Sequence, residues 1–311
     1  MKTLAHYALS IGAAVALLAG CGGSQPTLGI PGAIPQTRIA QSVAPKPNNN
    51  ALLYVSDQES NKVFIYSYPD LQLRGTITGL SGPSGLCIDP ATQNVWVANS
   101  AGGELTEFKR GGSQRIRKLH LNLFANDLGC AVDAVTGDLA VVVHHEADEA
   151  GGFFVFKNAH GKPKAYDARK ILWPDFVAYD SGGDAFVDGN GDQQRVALAE
   201  LTPGAKKPQI VTPPGLRFDA PGGVQFDGTN LVIGDGAAAV IYRIAGGKIT
   251  GRTTLEHACR VRGFFIDGDR VIAPNDCNRR GSVSIYKYPA GGSPLKVLDG
   301  FKSPLSVVID R

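Results

Sequence analysis

The sequence predicts an all-β fold, a six-bladed β-propeller of four-stranded antiparallel blades, on three observations. Short apolar runs end in an aspartate at Asp89, Asp133, Asp180, Asp227, Asp267 and Asp310, in steps of 44, 47, 47, 40 and 43 residues. A spacing near 44 is the length of one four-stranded blade. Within each step, apolar residues recur at period two between Gly, Pro, Asn and Ser breakers, which is the pattern of short strands. The two chain ends each carry part of one repeat, so that pairing them closes the ring and removes an open sheet edge.

Before the repeats lies a segment of different character. Lys2 gives a positive start, and Ala8–Ala19 is an apolar run too short to span a bilayer comfortably. Leu18, Ala19, Gly20 and Cys21 follow. These four resemble the lipobox of bacterial lipoproteins, which implies a signal peptide over residues 1–20 and acylation of Cys21. An ordinary secretory signal with a chance cysteine is the alternative. By the same resemblance, Gly22 in place of an aspartate implies an outer-membrane anchor facing the periplasm or the cell surface. Residues 21–50 read as a tether, because Pro26, Pro31, Pro35, Pro45 and Pro47 stand among glycines with little apolar periodicity. A coil of that length holds the folded part on the order of 30 Å from the membrane.

The blades occupy residues 51–311. Leu52–Asp57 and Val63–Tyr68 match the second and third strands of a blade with no first strand before them, and Ser303–Asp310 supplies that first strand. The next blade shows the full unit. Gly82, Pro83, Ser84 and Gly85 open Leu86–Ile88, and Asn94–Asn99, Glu104–Lys109 and Gln114–Leu121 follow as the second to fourth strands. Each of the six aspartates precedes a tight turn, where its carboxylate is expected to accept nearby backbone N–H groups. A side chain needed in every blade fixes hairpins and is not a catalytic ring.

The runs Leu53, Tyr54, Val55, Ser56, Asp57 then Asn61, Lys62, Val63, and Pro221, Gly222, Gly223, Val224 to Asp227 then Leu231 to Asp235, resemble the NHL-repeat propellers. They also resemble the wider group that holds the SMP-30 gluconolactonase-like and YncE-like propellers. The resemblance covers Ala51–Arg311 and implies a fold shared by enzymes, ligand binders and interaction platforms. SMP-30-like enzymes hold a divalent cation with a glutamate at the start of one innermost strand, an asparagine and an aspartate. No glutamate stands at such a start here. Asp127 and Asp175 lie near two of these starts, and a metal-dependent lactonase or hydrolase would draw oxygens from Asp175, Asp188, Asp235 and Asn275.

What differs between blades is the place to look for function. The ends of the second strands align at Asp57, Asn99, His144, Gly189, Asp235 and Asn275 around the expected channel mouth. Asp188, Asn190 and Asp192 alternate in an acidic, glycine-rich loop with the spacing of a calcium loop, read either as a cation site with Asp235 or as a solvated turn. His144 and His145, followed by Glu146, Asp148 and Glu149, suit a transition metal, a proton shuttle or simply a solvated loop. Arg260, Arg262, Arg279 and Arg280 form a basic cluster able to hold an anion or merely to solubilise the surface. Trp173 either stacks on a flat ligand such as a sugar or packs between blades.

Other classes find no support. A net charge of +3 over 311 residues gives no electrostatic footprint for nucleic acid. No Gly-x-Ser-x-Gly elbow, His-Glu-x-x-His helix or phosphate-cradling loop is present. Beyond Cys21 four cysteines remain, an even number suited to an exported chain. Cys259 and Cys277 fall on the same face of one blade and are expected to pair. Cys87 and Cys130 point to opposite strand faces in successive blades, and read either as a bridge between blades or as two buried thiols. The expectation is therefore an envelope lipoprotein that binds a protein, peptide or carbohydrate at the channel mouth without catalysis. A metal-dependent hydrolase and an envelope assembly scaffold are the alternatives.

Overall fold

The computed structural model describes residues 50–121, 127–144, 152–167, 170–171, 173–190, 195–218, 220–277 and 280–311. The signal segment, Cys21, the tether up to residue 49, and the loop positions His145, Asp192 and Arg279 lie outside the described residues.

The strands follow the repeat. The first blade holds β1 (Leu52–Asp57), β2 (Lys62–Ser67) and β3 (Leu73–Ile77); the second holds β4 (Pro83–Ile88), β5 (Val95–Asn99), β6 (Glu104–Phe108) and β7 (Arg115–His120). Next come β8 (Asp127–Val132), β9 (Leu139–His144), β10 (Gly152–Phe156) and β11 (Lys164–Tyr166). The fourth blade is β12 (Trp173–Tyr179), β13 (Ala185–Asn190), β14 (Val196–Leu201) and β15 (Gln209–Ile210), and the fifth is β16 (Pro221–Phe226), β17 (Leu231–Asp235), β18 (Val240–Ala245) and β19 (Lys248–Thr254). The sixth is β20 (Phe265–Asp267), β21 (Arg270–Cys277), β22 (Arg280–Lys287) and β23 (Lys296–Phe301), after which β24 (Pro304–Ile309) returns to β1. Each sheet has four antiparallel strands, and the closing sheet runs β24-β1-β2-β3. The ring is thus a six-bladed β-propeller.

Strands β4, β8, β12, β16, β20 and β24 are innermost and line the central channel. The second strands are buried on both faces because each blade packs against two neighbours. Along β9, Leu139, Val141 and Val143 join Trp96 and Leu105 of the second blade, while Ala140 and Val142 join Val177, Val187 and Ala197 of the fourth. That explains an apolar run in which alternation gives way to continuous burial. At closure Leu53 faces Ile309 and Val55 faces Val307, so the two ends of the folded chain share one core.

The aspartate turns behave as the sequence predicts in four blades. Asp89 accepts the N–H of Ala91 at 2.9 Å, Asp133 that of Val135 at 3.0 Å, Asp180 that of Gly182 at 2.8 Å and Asp227 that of Asn230 at 2.7 Å. Asp310 does the same where the two ends of the propeller meet, accepting Leu52 N–H at 2.7 Å. Asp267 departs from the pattern and accepts the Arg311 guanidinium at 2.6 Å. Its hairpin is so tight that Asp267 pairs directly with Arg270, which leaves little turn backbone to satisfy.

Both cysteine pairs are disulfides. Cys87 of β4 joins Cys130 of β8 with Cα atoms 5.7 Å apart, bridging successive blades, and Cys259 joins Cys277 within the sixth.

Candidate functional site

Four innermost strands begin irregularly, and the irregularity builds the mouth. Pro83 pairs with Asn99 and Leu86 with Val97, so Ser84 and Gly85 together oppose a single residue. The same extra residue appears as Asp175 between Pro174 and Phe176, as one of Gly222 and Gly223 after Pro221, and as Leu305 after Pro304. Proline suits this position, because it needs no ladder partner at a strand start. A bulge leaves its extra residue unpaired and turns it out of the sheet.

These starts surround a cavity of about 230 Å³ to which all six blades contribute. Leu305 and Ser306 come from the closing strand, Ser84 and Gly85 from the second blade and His144 from the third. The fourth blade gives Asp175, Phe176 and Asn190; the fifth gives Ala220, Pro221 and Gly236; the sixth gives Arg260, Val261 and Arg262. Gly85, Phe176 and Ser306 also border a second cavity of about 360 Å³, which follows the apolar channel toward the aspartate turns.

The polar groups of the mouth are unevenly distributed. On the fourth-blade side, His144 Nδ1 lies 3.1 Å from Asp175 Oδ1, and the imidazole stacks on Trp173 at 5.9 Å between ring centres. Trp173 thus packs between the third and fourth blades, and its indole N–H is buried without a hydrogen-bond partner. Asp188 is wholly buried in β13, where its Oδ1 accepts the Phe176 N–H at 2.9 Å. The bulge at Asp175 interrupts the ladder just before Phe176, and the Asp188 carboxylate satisfies the amide there. Burial, and then the charge of Asp175, push the Asp188 carboxyl well above the usual carboxylate range, against the pull of the Phe176 amide. Asp188 Oδ2 and Asn190 Oδ1 are both buried without a donor.

The sixth-blade side is basic and firmly held. Arg260 O accepts the Asp276 N–H at 3.1 Å, and the neighbouring Val261 donates its N–H to Gly236 O at 2.9 Å. The Cys259–Cys277 disulfide pins the same segment to the end of β21. Gly236 is required there, since a Cβ on it would lie 2.6 Å from Val261 O.

Of the residues the sequence singles out, the structure gathers His144, Asp175, Asn190, Arg260 and Arg262 around this cavity, with Trp173 behind His144. Four others are buried and turned to structural work. Asp57 accepts the N–H groups of Lys302 and Ser303, both at 2.9 Å, and Asp235 accepts those of Ala237 and Ala238. Asn99 accepts the Ser81 N–H, and Asn275 donates to Ser284 Oγ at 2.9 Å. The expected acidic loop is not a loop through Asn190, because Asp188, Gly189 and Asn190 complete β13. Gly189 extends the strand where a Cβ would meet Trp173 O at 2.3 Å. Among the described residues, no three His, Cys, Asp or Glu side chains converge as a metal centre; Asp188 accepts an amide at the β12 bulge and Asp235 accepts amides of the turn after β17. Asp192, the remaining member of the expected cation loop, lies outside the described residues. Ser84, Phe176, Pro221 and Ser306 also line the cavity, and the sequence marks their place only through the Pro, Gly and Ser that open the inner strands.

No family model matches the chain, and no curated protein matches it. Among solved structures it is similar to a chain in the crystal structure of a nidogen/laminin complex, at 12% identity over 84% of this chain and 99% of that one, with a TM-score of 0.71. It is also similar to a protein of unknown function from Bacteroides caccae, at 11% identity over 84% and 99%, TM-score 0.60. A third similar structure is Kuenenia stuttgartiensis hydrazine synthase, at 9% identity over 81% and 80%, TM-score 0.53. At these identities the likeness concerns the fold alone.

Proposed function

We propose that this protein is an exported lipoprotein of the cell envelope, acylated at Cys21, whose propeller binds a protein, peptide or carbohydrate ligand at the channel mouth without chemistry of its own. One observation carries the binding part: a single small cavity draws on all six blades, while the polar groups lining it differ from blade to blade. A frame repeated for stability with a mouth that does not repeat is the arrangement a binding site needs. The two disulfides suit an oxidising compartment, and the lipobox-like Leu18 to Cys21 suits lipid anchoring. One similar chain comes from the crystal structure of a nidogen/laminin complex, and this supports the protein-ligand form of the reading by analogy alone.

The experiment has two arms on the full-length chain. Labelling cells with a fatty-acid probe should mark the natural protein and not Cys21→Ala; equal labelling refutes the anchor. Glycan and peptide arrays probed with the purified protein should lose their signal on Arg260→Ala and on Asp175→Asn; signals unmoved by both variants refute the mouth as the site.

A further inference from the structure

The cavity has opposite electrical character on its two sides. From the fourth blade come Asp175, turned out of its sheet by the bulge, and Asn190, whose Oδ1 is buried without a donor. A carboxylate beside an orphaned acceptor calls for a group that only donates, and an ammonium has three donors and no acceptor. From the sixth blade comes Arg260, exposed at the mouth, with Arg262 two residues on lining the same cavity. A guanidinium offers a planar fork of donors that fits a carboxylate.

Between these sides the fifth blade offers only Ala220, Pro221 and Gly236, which leave room for a ligand's backbone and add no charge. At about 230 Å³ the cavity lies below the roughly 300–1,000 Å³ of pockets that enclose drug-sized ligands. It holds something the size of one residue or two small ones. We infer that the channel mouth binds a small zwitterion, a free amino acid or a short peptide with free ends, with its ammonium against Asp175 and Asn190 and its carboxylate against Arg260. The inference rests on the binding reading of this cavity and specifies its ligand class. The buried indole N–H of Trp173 is not used by it.

Calorimetry with the purified full-length protein tests it, using L-leucine and glycyl-leucine as probes beside N-acetyl-leucine and leucinamide. Leucine or glycyl-leucine should bind, and removing either charge should weaken binding about tenfold or more, as expected for loss of a charge-assisted contact. Preference between the first two probes separates a free amino acid from a peptide. Arg260→Ala should weaken leucine but not leucinamide, and Asp175→Asn should weaken leucine but not N-acetyl-leucine. Because Arg260 is exposed, its replacement leaves the fold intact and the first comparison remains decisive if Asp175→Asn misfolds.

Equal binding of leucine and N-acetyl-leucine overturns the inference in favour of a plain anion site. Binding that appears only with added calcium overturns it in favour of a cation site. If no probe binds but both variants still abolish capture of an arrayed glycan or peptide, the zwitterion is wrong and the mouth remains the site. If the variants change nothing there either, both readings fall.

Discussion

The two faces of this propeller are built from the same strands and obey different rules. On the turn face, five aspartates in five blades accept backbone N–H groups at a strand's end, and one of them does so where the two ends of the propeller meet. On the mouth face, four inner strands share a proline and a bulge, yet the bulged residues are a serine and glycine, an aspartate, glycines and a leucine. The turn face repeats side chains because every hairpin has the same backbone problem. The mouth repeats only backbone geometry and leaves its side chains free to differ, and divergence on a common frame is what separates recognition from support.

The disulfides give the largest test of that contrast. In the chain-entropy picture a bridge over 43 residues stabilises by about 4 kcal/mol and one over 18 by about 3 kcal/mol. Replacing Cys87 and Cys130 together by serine should therefore lower urea stability more than replacing Cys259 and Cys277. Ligand affinity should respond in the reverse order, because only the second bridge pins the segment carrying Arg260. Equal losses of affinity from both pairs would mean that the mouth has no separate rigidity. Close in size is Asp310→Ala, which leaves Leu52 N–H and the buried Tyr54 hydroxyl without their acceptor and removes the ion partner of Arg110. A loss of about 3 kcal/mol is expected in chemical denaturation, with binding by the remaining folded protein unchanged.

A smaller effect on stability with a larger one on binding is expected at Gly236→Ala. The added methyl meets Val261 O at 2.6 Å and displaces the sixth-blade segment, at a cost of about 1–3 kcal/mol. Calorimetry should show ligand binding lost while the circular dichroism of the sheet persists. Retained affinity would show that Arg260 tolerates movement and is not a fixed contact.

Much of this architecture is legible in the sequence, and the reasons it fades at the mouth are physical. The step of about 44 residues, the closing strand and the aspartate turns are visible because each rests on local chemistry repeated in every blade. Bulges are not visible: Ser84 and Gly85, or Gly222 and Gly223, have turn-like composition, and only pairing across the sheet reveals the extra residue. Asp188 reads as a calcium-loop ligand for the same reason, since Gly189 and Asn190 look like loop residues. They are strand residues because they pair with Pro174 and Trp173 on one side and with Ala197 and Val196 on the other, and Trp173 O then lies too close for any side chain at position 189. Asp57, Asn99, Asp235 and Asn275 read as candidate ligands because a sequence shows a polar residue at a strand's end and not the backbone it holds.

Two carboxylates put the contrast between the faces on a pH axis. On the turn face, burial alone would raise the Asp227 carboxyl, but the Tyr288 hydroxyl at 2.5 Å and the turn N–H groups of Asn230 and Thr229 hold it below its ordinary value. A group depressed on folding contributes stability that is present above its unfolded pKa and is lost as pH falls through the folded one. Asp227→Asn should therefore lower Tm at pH 7, and the deficit should shrink in acid. Near the mouth, Asp188 is raised instead, by burial and then by Asp175. The native state keeps a proton that the unfolded chain releases near pH 4, so stability is full below that value and declines as pH rises through the folded pKa. Asp188→Asn keeps an oxygen for the Phe176 amide and removes the titration. It should melt higher than the natural protein at pH 7 and alike near pH 4, the reverse of Asp227→Asn. A melting difference for Asp188→Asn that stays constant with pH would mean that the folded state holds no proton on Asp188 that the unfolded chain releases, and the contrast between the two faces would not extend to pH.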